Sequence, residues 1–203
     1  MTNRTLPLFP LGSVLFPGGP LALRIFEPRY VDMVGRCMRE STGFIVVLIV
    51  EGREAGSSTL TTAAVGTEAK IVDFNRLEDG LLGLSCIGQA RFRIVSAWRQ
   101  EDGLNLAEVA EIAPDPEIAI PDDCRHLQEA LRRLYPELGE AYQWVQPRWD
   151  DAAWVSNRLA ELAPLEPPVK QGLLELIDPI ERLQYLAPLI KLGTTDGDPR
   201  TLS

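Results

Sequence analysis

Residues 112–121 read Ile112-Ala113-Pro114-Asp115-Pro116-Glu117-Ile118-Ala119-Ile120-Pro121, with three prolines in eight residues. Proline has no amide hydrogen and disfavours helix in the residue before it. Neither a helix nor a strand ladder runs through such a segment, so it must connect two regimes. Before it the sequence patterns as strands; after it, as helices. The chain of 203 residues is therefore predicted to be α+β. Residues 1–118 form a β-rich lobe, and residues 119–203 form a helical lobe with a disordered polar tail.

In the first lobe, Phe44-Ile45-Val46-Val47-Leu48-Ile49-Val50 is an unbroken β-branched run, as in a strand buried on both faces. The polar stretch over residues 51–62 reads as a mobile loop. Runs at residues 65–77 and 81–86 flank Glu78-Asp79-Gly80, and runs at residues 91–100 and 104–112 flank Glu101-Asp102-Gly103. Asp-Gly between strand-like runs predicts a hairpin, because glycine accepts the positive φ of a tight turn. Two in succession predict a meander. Pro7 and Pro10 fit a strand edge, and Pro17-Gly18-Gly19-Pro20 fits a turn. One helix interrupts the strands. It starts at Pro28, carries Tyr30, Val31, Val34, Cys37 and Met38 at helical spacing, and stops at Gly43.

In the second lobe, Cys124, Leu127, Leu131 and Leu134 form one apolar helical stripe that Pro136 ends. A second helix follows Asp150-Asp151, with Val155, Leu159 and Leu162 inward. A third spans about residues 168–177. A fourth opens at Asp178-Pro179-Ile180-Glu181, where Asp178 caps and Pro179 takes the first helical position.

Charge and composition exclude several function classes. The net charge is -9, with 11 Lys+Arg against 15 Asp+Glu in residues 1–118 and 9 against 14 in the remainder. Neither lobe offers a phosphate-binding footprint. The longest apolar run is seven residues, far short of a membrane span. No signal-peptide pattern opens the chain, and Cys37, Cys86 and Cys124 are too few and too scattered for a disulfide framework or a zinc cage. They read as buried reduced thiols of a cytoplasmic protein. Ser85 lacks the glycine two residues later that a nucleophile elbow needs. His126 stands two residues from Cys124, on another helix face. Lys70 opposite Ser85 is the one conceivable Ser-Lys pair, and no phosphate-binding or metalloprotease motif is present. The chain thus reads as no enzyme, with no catalytic residue, metal or cofactor.

Several blocks, in order, carry a resemblance. They are Leu6-Pro7-Leu8-Phe9-Pro10-Leu11, Val14-Leu15-Phe16-Pro17-Gly18, Ile25-Phe26-Glu27-Pro28-Arg29-Tyr30, Val65-Gly66-Thr67-Glu68-Ala69, Gly88-Gln89-Ala90-Arg91-Phe92-Arg93-Ile94 and Asp178-Pro179-Ile180-Glu181-Arg182-Leu183. This set resembles the Lon N-terminal domain family over residues 5–192. The resemblance implies a small PUA-like antiparallel β-barrel with one inserted helix, followed by a C-terminal α-helical bundle. It also implies a substrate-binding module without the ATPase and peptidase parts of Lon, whose partners are unfolded or extended polypeptides and a separate protease or chaperone.

The cleft between barrel and helices is the expected site. Arg24, Arg29 and Tyr30 are the polar handles of the opening stretch. Trp144, Trp149 and Trp154 form either an aromatic patch that grips peptide or a hydrophobic clamp between helices. The alternative function is an RNA-binding PUA-like module, which a basic face of Arg91, Arg93 and Arg99 would favour.

Overall fold

A computed structural model describes residues 4–51 and 61–190. The loop read over residues 51–62, the tail from residue 194, Lys191 and Gly193 lie wholly or mostly outside the described residues. The order is β1 (Arg4–Leu11), β2 (Pro20–Ile25), α1 (Pro28–Glu40), β3 (Phe44–Glu51), β4 (Thr61–Arg76), β5 (Leu82–Arg99) and β6 (Asn105–Glu111). After the proline-rich connection come α2 (Arg125–Leu134), α3 (Ala152–Leu162), α4 (Pro167–Glu175) and α5 (Pro179–Leu186).

The two Asp-Gly turns make the meander β4–β5–β6. Gly80 and Gly103 take φ of +85° and +82°, a region closed to most side chains. Asp79 and Asp102 accept from the amides of Leu81 (3.1 Å) and Leu104 (2.9 Å) and so fix each turn. The two runs expected at residues 81–86 and 91–100 are one 18-residue strand. Gly88 sits inside it because a Cβ there would collide with the carbonyl of Phe16.

The six strands order as β2-β5-β4-β3-β1-β6, and β5 also pairs with β6. The pairing of β1, β3, β4, β5 and β6 thus returns to its starting strand. The sheet is mixed, which corrects the expectation of antiparallel strands: β1 and β3 run parallel. Between them lie β2 and α1, a connection long enough for a parallel crossover. β1 is also not an edge strand. Its first half, through Pro7, pairs only with β6, and its second half, through Pro10, only with β3. Each proline therefore has one ladder beside it and one flank free, where a missing amide costs nothing.

α1 packs on the sheet through Tyr30, Met33, Val34 and Cys37, which join Phe9, Phe44 and Leu84 in one core. The Phe9 ring lies 4.3 Å from Tyr30 and 5.6 Å from Phe44. Burying such a side chain contributes roughly 1.5–3 kcal/mol. The helix ends at Ser41, which adopts φ 55°, and not at Gly43. Gly43 is needed for another reason: a Cβ would lie 2.6 Å from the Ala69 carbonyl.

A second core holds the apolar faces of α2, α3, α4 and α5 together with Phe16 and Val65. α3 is its centre, buried at every position from Ala152 to Ala160. Asp151 caps it by accepting from the amide of Ala153 (3.0 Å), and Asp178 caps α5 through Ile180 (2.8 Å). Leu134, expected in the stripe of α2, stays 44% exposed because that helix ends there.

All three cysteines are free and buried. Burial pushes the Cys86 thiol up to about 12. It should resist iodoacetamide in the native protein at pH 8 and react fully in guanidinium, as mass spectrometry of labelled protein would read. The sign follows for stability: this contribution is complete below pH 9, where the unfolded thiol ionises, and is lost as pH climbs toward 12. Fast native labelling of Cys86 would contradict its burial.

Candidate functional site

A cleft of about 540 Å³ lies between β5, the proline-rich connection and the start of α3. Its floor is a break in the sheet. The β2 ladder on β5 ends where the Gly88 amide donates to Gly19 O (2.9 Å) and the Gly18 amide to Gly88 O (2.8 Å). The β6 ladder on the same flank begins where the Ile112 amide donates to Arg91 O (2.9 Å). Gln89 and Ala90 lie between, with neither strand beside them.

One wall is the connection itself. It is pinned at Asp115, and again by the Ala119–Asp151 bridge and the Ala152 amide on Ile118 O (2.9 Å). Asp115 lies between two buried guanidiniums. It accepts from Arg91 on β5 and, at 3.0 Å, from Arg182 on α5. Arg91 also donates to Leu174 O (2.6 Å) and Leu176 O (2.8 Å). Arg182 donates to Leu173 O (2.9 Å), Leu176 O (2.6 Å) and Ser156 Oγ (3.0 Å). Burial lowers the Arg182 pKa, and Asp115 opposes that shift. This knot ties β5, the connection, α3 and α5 together. Sequence reading missed it: Arg91 sits in a period-two run that predicts a half-exposed strand.

The opposite wall is aromatic. Trp144, from a 3₁₀ turn, is 43% exposed, while Trp154 on α3 is 6% exposed, and both line the cleft. Trp149 does not. It lies edge-on to Trp154 and Tyr135, at 5.1 Å from each, with Arg132 over its face. Trp149 and Trp154 therefore brace the helices, and only Trp144 presents a large surface to the cleft.

Behind Gly18 lies a buried polar group. Arg158 is 0% exposed; it donates to Pro17 O (3.0 Å) and pairs with Glu161 (2.9 Å), while its Nε and Nη1 have no hydrogen-bond partner. Tyr142 donates to Glu161, and Lys170 donates to Glu161 O (2.6 Å). Burial raises the Glu161 pKa against the pull of Arg158, and burial raises that of Tyr142.

Arg24, Arg29 and Tyr30 are placed elsewhere. Arg24 on β2 pairs with Asp79 at the first hairpin turn. Arg29 pairs with Glu27 (2.7 Å), donates to Gly103 O (2.7 Å) and covers the Tyr30 ring. Tyr30 is in the core under α1. None of the three lines the cleft. The basic face of Arg91, Arg93 and Arg99 does not assemble either, since Arg91 is turned inward to Asp115. Lys70 is exposed and registers with Ile87, and Ser85 registers with Asp73, so no buried Ser-Lys pair forms. Among the described residues no cluster suited to a metal ion occurs, and no helix is long and apolar enough to cross a membrane.

A mixed six-stranded sheet carrying α1, followed by four further helices, is an α+β fold of the Lon N-terminal domain type. The chain belongs to the family described as the ATP-dependent protease La (LON) substrate-binding domain, whose model matches residues 5–191. It is similar to a Lon N-terminal domain protein from Xanthomonas campestris, known from a crystal structure. The two are 37% identical with a TM-score of 0.77, over 93% of this chain and 99% of that one. The N-terminal domain of Mycobacterium avium complex Lon protease shares the fold at 18% identity and a TM-score of 0.63, over 92% and 97% of the two chains. The Lon protease of Phenylobacterium zucineum is 28% identical over 201 residues, 92% of this chain and 25% of that protein. Chicken cereblon is 28% identical over 138 residues, 66% of this chain and 29% of that one. The chain spans about a quarter of the length of the Lon proteases it matches, and the match lies in their substrate-binding domain, not in ATPase or protease parts.

Proposed function

We propose that this protein is a non-enzymatic recognition module that binds unfolded or extended polypeptide in the cleft between the sheet and the helices, and passes it to a separate cytoplasmic protease or chaperone. Residues 1–118 and 119–203 then act as the two jaws, and the cyclic strand pairing of the first is a small PUA-like barrel. One observation carries the reading: an open flank of β5 at Gln89-Ala90 and the half-exposed Trp144 line the same cleft. An extended segment can add itself beside the free stretch of β5 while an apolar side chain packs on the tryptophan. The volume of about 540 Å³ suits a few residues, within the range of known ligand sites.

The test is fluorescence anisotropy with a labelled, permanently unfolded model protein. Saturable binding is expected, and Trp144→Ala should weaken it about tenfold with no loss of thermal stability. Arg24→Ala and Arg29→Ala should leave it unchanged. No binding by the intact protein, or equal binding by Trp144→Ala, would overturn the proposal.

A further inference from the structure

We infer that the cleft selects basic segments: an extended polypeptide whose lysine or arginine lies on Trp144 and is held by Glu111. This rests on the proposed use of the cleft for polypeptide. Three side chains of its lining offer acceptors. Asn157 on α3 lines the cleft, is 4% exposed, and its Oδ1 has no hydrogen-bond partner. A buried amide oxygen without a donor costs on the order of 1–3 kcal/mol, which a donating ligand would recover. Gln89 spends its Nε2 on the carbonyls of Ile87 (3.3 Å) and Gly88 (3.2 Å). Its Oε1 is left as the group it offers. Glu111 ends β6 at the cleft, is exposed, and among the described residues its carboxylate takes part in no ion pair or side-chain hydrogen bond.

The cations that line the cleft are by contrast taken, and Arg158, whose Nε and Nη1 lack partners, is 0% exposed and does not line it. Arg91 is committed to Asp115 and two carbonyls. Arg148 is shared between Glu117 (2.7 Å) and Asp151 (3.1 Å). A carboxylate or phosphate entering here would meet no free cation and would be repelled by Glu111. An ammonium or guanidinium would meet a carboxylate, carboxamide oxygens and the face of an indole, which attracts cations. The net charge of -9 steers basic chains toward the protein from a distance.

The experiment uses three labelled extended peptides of equal length and apolar content, bearing lysine and arginine, no charge, or aspartate and glutamate. Anisotropy is read at low and moderate salt. The basic peptide should bind about tenfold more tightly than the neutral one, and the acidic one most weakly, with the gap narrowing in salt. Glu111→Gln should reduce binding of the basic peptide about fivefold and leave the neutral peptide untouched. Equal binding of all three peptides would overturn the preference while the cleft reading stands. A basic preference that survives Glu111→Gln and Trp144→Ala would also overturn it, since it would be diffuse surface attraction. Binding of none would overturn both.

Discussion

Asp115→Ala is expected to lower stability by about 3–5 kcal/mol, the usual cost of removing one partner from a buried ion pair. For a chain of this length that is a fall in Tm of roughly 6–20 °C. The reason is the company Asp115 keeps. Arg91 is 3% exposed and Arg182 0%. Among the described residues Asp115 is the only carboxylate in ion-pair contact with either. Without it two buried guanidiniums of like charge have only the carbonyls of Leu173, Leu174 and Leu176 and the Ser156 hydroxyl to receive their protons. Asp115→Asn separates charge from hydrogen bonding, because one acceptor oxygen remains; it should cost less than the alanine. Removing all three charges together, as Arg91→Met, Asp115→Leu and Arg182→Met in one chain, should be milder than Asp115→Ala alone, since buried ion clusters often tolerate apolar replacement. Thermal denaturation of the three variants checks the order. A shift below about 2 °C for Asp115→Ala would show that the knot does not hold the connection down. The same variant should also enlarge the cleft, because Asp115 pins its wall.

That knot marks the boundary of what the sequence discloses. Local chemistry was legible. Gly80 and Gly103 sit where the Asp-Gly pairs predict turns, and Asp151 and Asp178 cap the helices they precede. Cys37, Cys86 and Cys124 are buried and free. What was not legible depends on residues far apart in the chain. The parallel pairing of β1 with β3 is set by how a 32-residue excursion folds back, which no local period encodes. Arg91 and Arg93 alternate with apolar neighbours in identical fashion, yet one is buried and the other exposed, because only Arg91 meets Asp115, 24 residues on. The tryptophans divide for a similar reason. Their spacing of five residues matches no helix period well, and a 3₁₀ turn puts Trp144 on the cleft while α3 draws Trp154 inward against Trp149. Gln89 and Asn157 carried no signal at all: an amide at a gap between two strand ladders looks like any surface residue, and one inside a helix looks like any polar position of that helix.

Phe16→Ala is the other substitution with a large expected effect, about 3–5 kcal/mol for loss of a buried phenylalanine and the cavity it leaves. Phe16 is 0% exposed, and it belongs to the core of the helices, not to that of α1 and its sheet. It lies in the segment between β1 and β2, so one side chain plugs the N-terminal strands into α3 and its neighbours. Its backbone works toward the same end: its carbonyl accepts from Gly19 (3.0 Å) and leaves room only for glycine at position 88. The two residues that follow, Pro17 and Gly18, line the cleft, and the carbonyl of Pro17 receives Arg158. Loosening Phe16 therefore acts on stability and on the site together. Hydrogen exchange should show lost protection in α3 and in residues 14–20, while the hairpin turns at Gly80 and Gly103 keep theirs. Phe16→Leu, which fills most of the volume, should cost roughly 1–1.5 kcal/mol and preserve polypeptide binding. Uniform loss of protection across the sheet in Phe16→Ala would mean that the two cores melt as one and that Phe16 is not a separable fastening between them.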